Sequence, residues 1–242
     1  MIRVFLHSLL CLSRHVRGRL VAVEAQRLCR LATRDGVVID IGAHCGSWMI
    51  PLSRQVAEGR VYAVEALPHY AAVLGSLVRW LGCGNVTVLN GAATEREMSL
   101  PLVWKDSHGR RLTGLTHLAG VGEPTENAVH VQGRPLDAWI PRADWSRVQL
   151  IKCDIEGAEL AAFHGATGII AAARPAVYCE INAAFCRRYG HTAADVFAFF
   201  LSRGYRAFVA ADAEWREISV DAYAEKGDVL FLSERHPVPQ SA

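Results

Sequence analysis

In this 242-residue chain, acids and glycines gather where apolar runs stop. The run Val37-Val-Ile-Asp40-Ile41 breaks into Gly42-Ala43-His44-Cys45-Gly46-Ser47. A glycine there lets the chain turn sharply and lets a ligand approach the backbone with no Cβ in the way. A helix opening at Gly46-Ser47 and running to Gln55 would aim free N–H groups at the same place. The next run ends in Glu65-Ala66, and a carboxylate at such a strand end accepts hydrogen bonds from both hydroxyls of a ribose. Asn90-Gly91-Ala92 closes a third run and is expected to meet the base. Asp154 and Glu156 follow a fourth run, and Glu180 and Asn182 end a fifth. The expected nucleoside site is therefore Asp40, Gly42, Ala43, His44, Gly46, Ser47, Glu65, Ala66, Asn90, Gly91, Ala92 and Asp154. Asp154, Glu156 and Glu180 are the expected catalytic acids, able to take a proton from an acceptor.

The first turn discriminates between nucleosides. A dinucleotide site reads G-x-G-x-x-G, with close glycines that admit a pyrophosphate; here His44 stands at the second glycine. S-adenosylmethionine carries no phosphate and presents an ammonium, which Asp40 suits and a pyrophosphate would not tolerate. Asp154, Glu180 and Asn182 also offer an all-oxygen set for Mg²⁺, with the oxygen chemistry of catechol-type O-methyltransferases, which the chain resembles only in general fold. The seven cysteines never form C-x-x-C and the ten histidines fall in no ligand spacing, so neither a zinc knuckle nor a disulfide framework is expected.

These residues need a frame, and the pattern supplies one. Apolar runs at 37–41, 60–65, 86–90, 148–154 and 176–181 read as strands, and the first does not alternate, as expected of a strand covered on both faces. Helical stretches over 68–81, 158–173 and 192–203 separate several of them, and a strand pair at 205–209 and 228–232 ends the pattern. The expected fold is α/β, a Rossmann-like, doubly wound, mostly parallel sheet. Residues 1–34 form a separate N-terminal helical segment and 35–242 the main domain. Within it 94–134 is an irregular insertion, with glycines at 109, 114, 120, 122 and 133 and β-like pieces near Val103 and Val129, read as a cap over the site.

Charged residues are 21% and the net charge is +2, which excludes a disordered chain and gives no global pull toward nucleic acid. The basic bias is local: Arg3, Arg14, Arg17, Arg19, Arg27, Arg30 and Arg34 face only Glu24 and Asp35. That segment is expected to be an amphipathic helix packed beside the sheet with its arginines in water; peripheral contact with a membrane is the alternative. No secretory signal or membrane span is read, and reduced scattered thiols fit a cytoplasmic address.

Three motifs together carry a family resemblance: Asp40-Ile-Gly-Ala-His-Cys-Gly46, Tyr62-Ala-Val-Glu65, and Lys152-Cys-Asp-Ile-Glu-Gly-Ala-Glu159. The chain resembles the FkbM-type methyltransferases over roughly residues 35–181. The resemblance implies a class I methyltransferase fold and transfer of a methyl group from S-adenosylmethionine to a hydroxyl of a sugar, glycan or secondary metabolite. Asn182 and Cys153 depart from the family pattern, and the acceptor and oligomeric state stay open. Rival readings are a nucleic-acid methyltransferase, a silent cofactor-binding partner subunit and an NAD-dependent oxidoreductase. The first lacks the Asn/Asp-Pro-Pro-aromatic motif after its fourth strand, and two acids there would repel a phosphate backbone.

Overall fold

The computed structural model describes residues 2–18, 22–106, 108–110, 112, 115–120, 122–211 and 214–239; Arg19 and Gly114 lie outside them. Twelve strands are present among these: β1 Val37–Ile41, β2 Arg60–Glu65, β3 Val86–Asn90, β4 Ala92–Ala93, β5 Met98–Val103, β6 His117–Leu118, β7 Ala128–Arg134, β8 Val148–Cys153, β9 Ala176–Asn182, β10 Arg206–Ala211, β11 Glu214–Glu217 and β12 Lys226–Leu232. The helices are α1 Ile2–Val16, α2 Val23–Leu28, α3 Met49–Gln55, α4 Pro68–Leu81, α5 Leu136–Trp139, α6 Glu159–His164, α7 Thr167–Ala173, α8 Ala183–Cys186 and α9 Ala193–Leu201.

The main sheet has the order β11-β10-β12-β9-β8-β1-β2-β3. From β3 to β9 neighbouring strands are parallel, and β12, β10 and β11 add antiparallel pairs. All five residues of β1 are buried, which is why its sequence does not alternate. One face buries Phe163, Phe197, Phe200 and Phe231, the other Leu28, Met49, Leu52 and Leu74. The chain leaves β1 in one direction toward β3 and resumes on its other side with β8. The carboxyl ends of β1 and β8 thus flank the point where strand order reverses, where open α/β sheets bind ligands.

Several boundaries follow from local chemistry. Pro68 begins α4 and Gly82, at φ +67°, ends it in the left-handed conformation. Thr192 and Asp195 form a capping box on α9.

Four expectations need correction. First, α3 starts at Met49 rather than Gly46-Ser47, because Gly46 turns at φ +82° and the chain stays irregular to Trp48. Second, the helix expected over 158–173 is two helices. Gly165 separates them where the chain closes on Thr94, and a Cβ there would lie 2.1 Å from the Thr94 carbonyl oxygen. Third, β11 is an additional edge strand beyond β10, paired from Phe208↔Glu217 to Ala211↔Glu214. Fourth, α1 packs against α4 and buries Ser8, Cys11 and His15, with Val4 and Leu12 partly covered, so that Leu6, Leu9 and Leu10 face outward together with the exposed Arg3 and Arg14. Strands β5, β6 and β7 of the insertion join β4 in a four-stranded sheet of order β4-β7-β5-β6.

Candidate functional site

Beyond the ends of β1, β2 and β8 lies a solvent-open cleft with a volume of about 230 Å³. Its floor includes Gly42, His44 and Ser47 from the loop after β1, Glu65-Ala66 after β2, and Gly91-Ala92 after β3. Asp154 and Glu156 enter from the loop after β8, and Leu102 and Thr116 to Leu118 of the insertion form the opposite wall. Nucleoside-site residues from three separate strand ends thus meet in one place.

Gly42 is what allows that meeting. Its φ is +78°, and a Cβ would stand 2.0 Å from the Asp154 carbonyl oxygen. The loops after β1 and β8 therefore touch through backbone alone. Gly42→Ala combines a left-handed strain with a backbone clash. It is expected to destabilise the protein by about 3 kcal/mol or more, seen as a fall in Tm of about 6–12 °C. An unchanged thermal melt would contradict this close approach.

Glu65 is buried and its two oxygens are engaged by backbone: Oε2 accepts from the His44 N–H and Oε1 from the Leu67 N–H, each at 2.8 Å. Burial pushes its carboxyl above the usual range, against those two hydrogen bonds. Asn90 braces the same corner, donating to the Glu65 carbonyl at 2.9 Å, and is itself outside the cleft lining. His44 takes a left-handed φ of +46° and lies over Tyr70, ring centroids 4.1 Å apart. Burial and the neighbouring His7 lower its pKa to about 4, so the ring is neutral near pH 7. Its buried Nε2 has no hydrogen-bond partner among the described residues, an orphaned polar atom at the cleft.

Asp40 stands apart from the cleft lining. It is 0% exposed and lies beside Lys152, whose Nζ is 3.6 Å from its Oδ1. The parallel register pairs Asp40 with Lys152 across β1 and β8. The lysine, itself only 4% exposed, also donates to the Gly42 carbonyl at 2.9 Å and the Ile41 carbonyl at 3.2 Å. Its Nζ lies 3.7 Å from Asp154 Oδ2. Burial works against the ammonium, yet Asp40 and Asp154 outweigh it and hold Lys152 above the usual lysine range. Lys152 thus ties the first turn to the acid loop. Sequence reading placed it in a motif without a role; only its register with Asp40 reveals one.

The three acids come together. Asp154, Glu156 and Glu180 bring carboxylate oxygens within 4.8 Å of one another. Glu156 sits at φ +59°, one of three described non-glycine residues at positive φ, and two of these, His44 and Glu156, line the cleft. Such strain persists where surrounding structure imposes it, and it gathers at functional sites. Burial, followed by Asp154 and Glu180, raises the Glu156 carboxyl to about 7. Glu180 is also raised, by burial and by Asp154, with Lys226 Nζ opposing at 3.3 Å from its Oε1. Glu159, the last acid of the motif, is buried and accepts the N–H groups of Ile155 and Gly157 at 3.1 and 3.0 Å, fixing the loop that carries Glu156. Asn182, the third member of the expected metal set, caps α8, its Oδ1 accepting the Ala184 and Phe185 N–H groups at 3.1 and 3.4 Å.

A second convergence escaped the sequence, since its members are far apart in the chain. His7, Cys11 and Cys45 place ring nitrogen and sulfur atoms within 4.8 Å of one another, and His69 meets the other nitrogen of His7 at 2.9 Å. It fastens α1 to the loop that carries His44.

Residues 40–207 match the profile of the methyltransferase FkbM domain. Among solved structures, the fold is similar to that of methyltransferase FkbM from Methylobacillus flagellatus KT, at 19% identity and TM-score 0.54, over 82% of this chain and 44% of that one. The chain thus spans less than half the length of that protein. An rRNA methylase from Streptococcus thermophilus is similar in fold at 10% identity and TM-score 0.50, over 87% and 93% of the two chains. No curated protein sequence matches.

Proposed function

The chain belongs to the FkbM methyltransferase family, and we propose that it transfers a methyl group from S-adenosylmethionine to a hydroxyl oxygen of a sugar, glycan or small metabolite. The observation that carries the oxygen acceptor is Glu156, strained at φ +59° with its carboxyl raised to about 7 inside the cleft. A hydroxyl gains nucleophilicity as it loses its proton, and a base works best with a pKa near the working pH.

When bound, S-adenosylmethionine supplies an electrophilic sulfonium methyl. Glu65 would accept the ribose hydroxyls with the lone pairs its backbone contacts leave free, and Gly91-Ala92, which line the cleft, would lie under the base. The neutral His44 ring offers its unpartnered Nε2 to the same ligand. Asp154, which lines the cleft, takes the ammonium that sequence reading gave to Asp40, while Asp40 stays the counter-ion of Lys152. Glu156 receives the acceptor proton, and Asp154 and Glu180 keep its basicity high. The walls from β5 and β6 hold the acceptor in line, which supplies much of the rate in a displacement of this kind.

The same carboxylates make a second reading concrete. Three hard oxygen donors suit Mg²⁺, and Asp154, Glu156 and Glu180 would hold it, where it would lower the acceptor's pKa as a Lewis acid. One experiment tests both readings: transfer of labelled methyl to a panel of hydroxyl and amine acceptors, before and after exhaustive EDTA treatment. The proposal expects O-linked product that survives EDTA. Product only on nitrogen contradicts the hydroxyl acceptor, and a loss restored by Mg²⁺ moves the acid cluster from base to metal seat.

A further inference from the structure

We infer that the outer face of α1 docks the protein on an anionic lipid bilayer. A helix turns 100° per residue, so Ile2, Phe5, Leu6, Leu9, Ser13 and Val16 fall along one side. Much of that side is in solvent: Ile2 is 77% exposed, Val16 76%, Leu6 58% and Phe5 53%, with Phe5 at its edge reaching Trp80 of α4. The buried side holds Ser8, Cys11 and His15 instead. Val4 and Leu12 add partly buried apolar contacts, yet most of the helix's large apolar side chains stay in water, which is unusual for a surface helix. Six exposed large apolar residues on one helix make a contiguous patch, which marks an interaction site rather than scatter.

Charge selects the occupant. The segment Ile2–Val16 contains no acid. Arg3, Arg14 and Arg17 are exposed along one flank of the apolar stripe, and Arg79 is exposed on α4. A second copy docked through this face would bring arginines together with no carboxylate on either α1 to pair with them. Lipid phosphates supply the missing charge, each basic residue at such a surface adding attraction that salt weakens. Phe5 meets Trp80 edge-on at 5.9 Å, and Trp80 is partly exposed beside the stripe. Aromatic rings with an apolar body and a polar edge favour the headgroup boundary. Among the described residues no helix is long and apolar enough to cross a membrane, so contact is with the surface.

The test is flotation of the full chain with vesicles of phosphatidylcholine alone and with about one-third phosphatidylglycerol, at low and high salt, beside sedimentation velocity without lipid. Binding to the anionic vesicles, weak on neutral ones and reduced by salt, is expected. Leu6→Glu/Leu9→Glu should lower it at least about tenfold, with an unchanged thermal melt showing that the variant is folded. Equal binding to both vesicle types would overturn the charge argument. Absence of vesicle binding would overturn the proposal, and a dimer that the double variant dissociates would assign the face to a second copy.

Discussion

Lys152→Met is expected to lower the folding free energy by about 3–5 kcal/mol, because it strands a buried carboxylate. Asp40 is fully buried, and burial pushes its carboxyl above the usual range; its main compensation is the Lys152 ammonium at 3.6 Å, with the Met49 backbone adding a smaller share. Without the lysine, Asp40 must ionise unpaired or take up a proton, and both cost free energy. The carbonyls of Ile41 and Gly42 lose their donor in the same change, so the cofactor turn loosens as the fold weakens. Asp40→Asn/Lys152→Met should recover much of the loss, since removing both charges removes the unpaired one. Denaturant unfolding of the two single variants and the double measures the coupling. Additive effects would mean that the pair does not interact as its geometry implies.

Glu156→Gln is expected to reduce kcat by about 10²–10⁴ while leaving cofactor affinity unchanged, the signature of a lost base. The pH profile gives the sign independently. With a carboxyl raised to about 7, Glu156 is protonated and idle below that pH and ionised above it. kcat/KM should therefore climb about tenfold per pH unit up to about 7 and then level off. The glutamine variant should lose that limb. A climb that persists in the variant would place the base elsewhere, with Glu180 next in position and also raised.

What could be read in advance follows from how each feature is encoded. Strands β1, β2, β8 and β9 were legible because a largely buried strand writes a nearly continuous apolar run, as in Val37 to Ile41, while β3 at the sheet edge was read from its short apolar run although it is only partly buried. β11 was not, because Glu-Trp-Arg-Glu at a sheet edge is mostly exposed and carries no such signal. The break at Gly165 hid in an alanine-rich stretch whose composition favours unbroken helix, and only the approach of Thr94 decides it. The exposure of Leu6, Leu9 and Leu10 on α1 beside its arginines was not legible, because periodicity shows that a helix has two faces and not which of them is buried.

The site shows the same division. Glu65, Gly42, Asp154 and Glu156 stand at strand ends, where sequence position predicts spatial position in an open sheet. Asp40 lies inside its strand, and its neighbour is set by the register between β1 and β8, which sequence does not state. The raised Glu156 depends first on burial and then on Asp154 and on Glu180 arriving from another strand, and the joining of α1 to the first turn depends on Cys11 and Cys45 meeting across the fold.

Calorimetric titration with S-adenosylhomocysteine, with NAD as the control, tests the central claim most directly. The arrangement of Glu65, His44, Gly91 and Asp154 predicts one site per chain for S-adenosylhomocysteine and no binding of NAD. Binding of NAD, or no heat from S-adenosylhomocysteine with a correctly folded protein, would contradict the assignment of the cleft and the chemistry built on it.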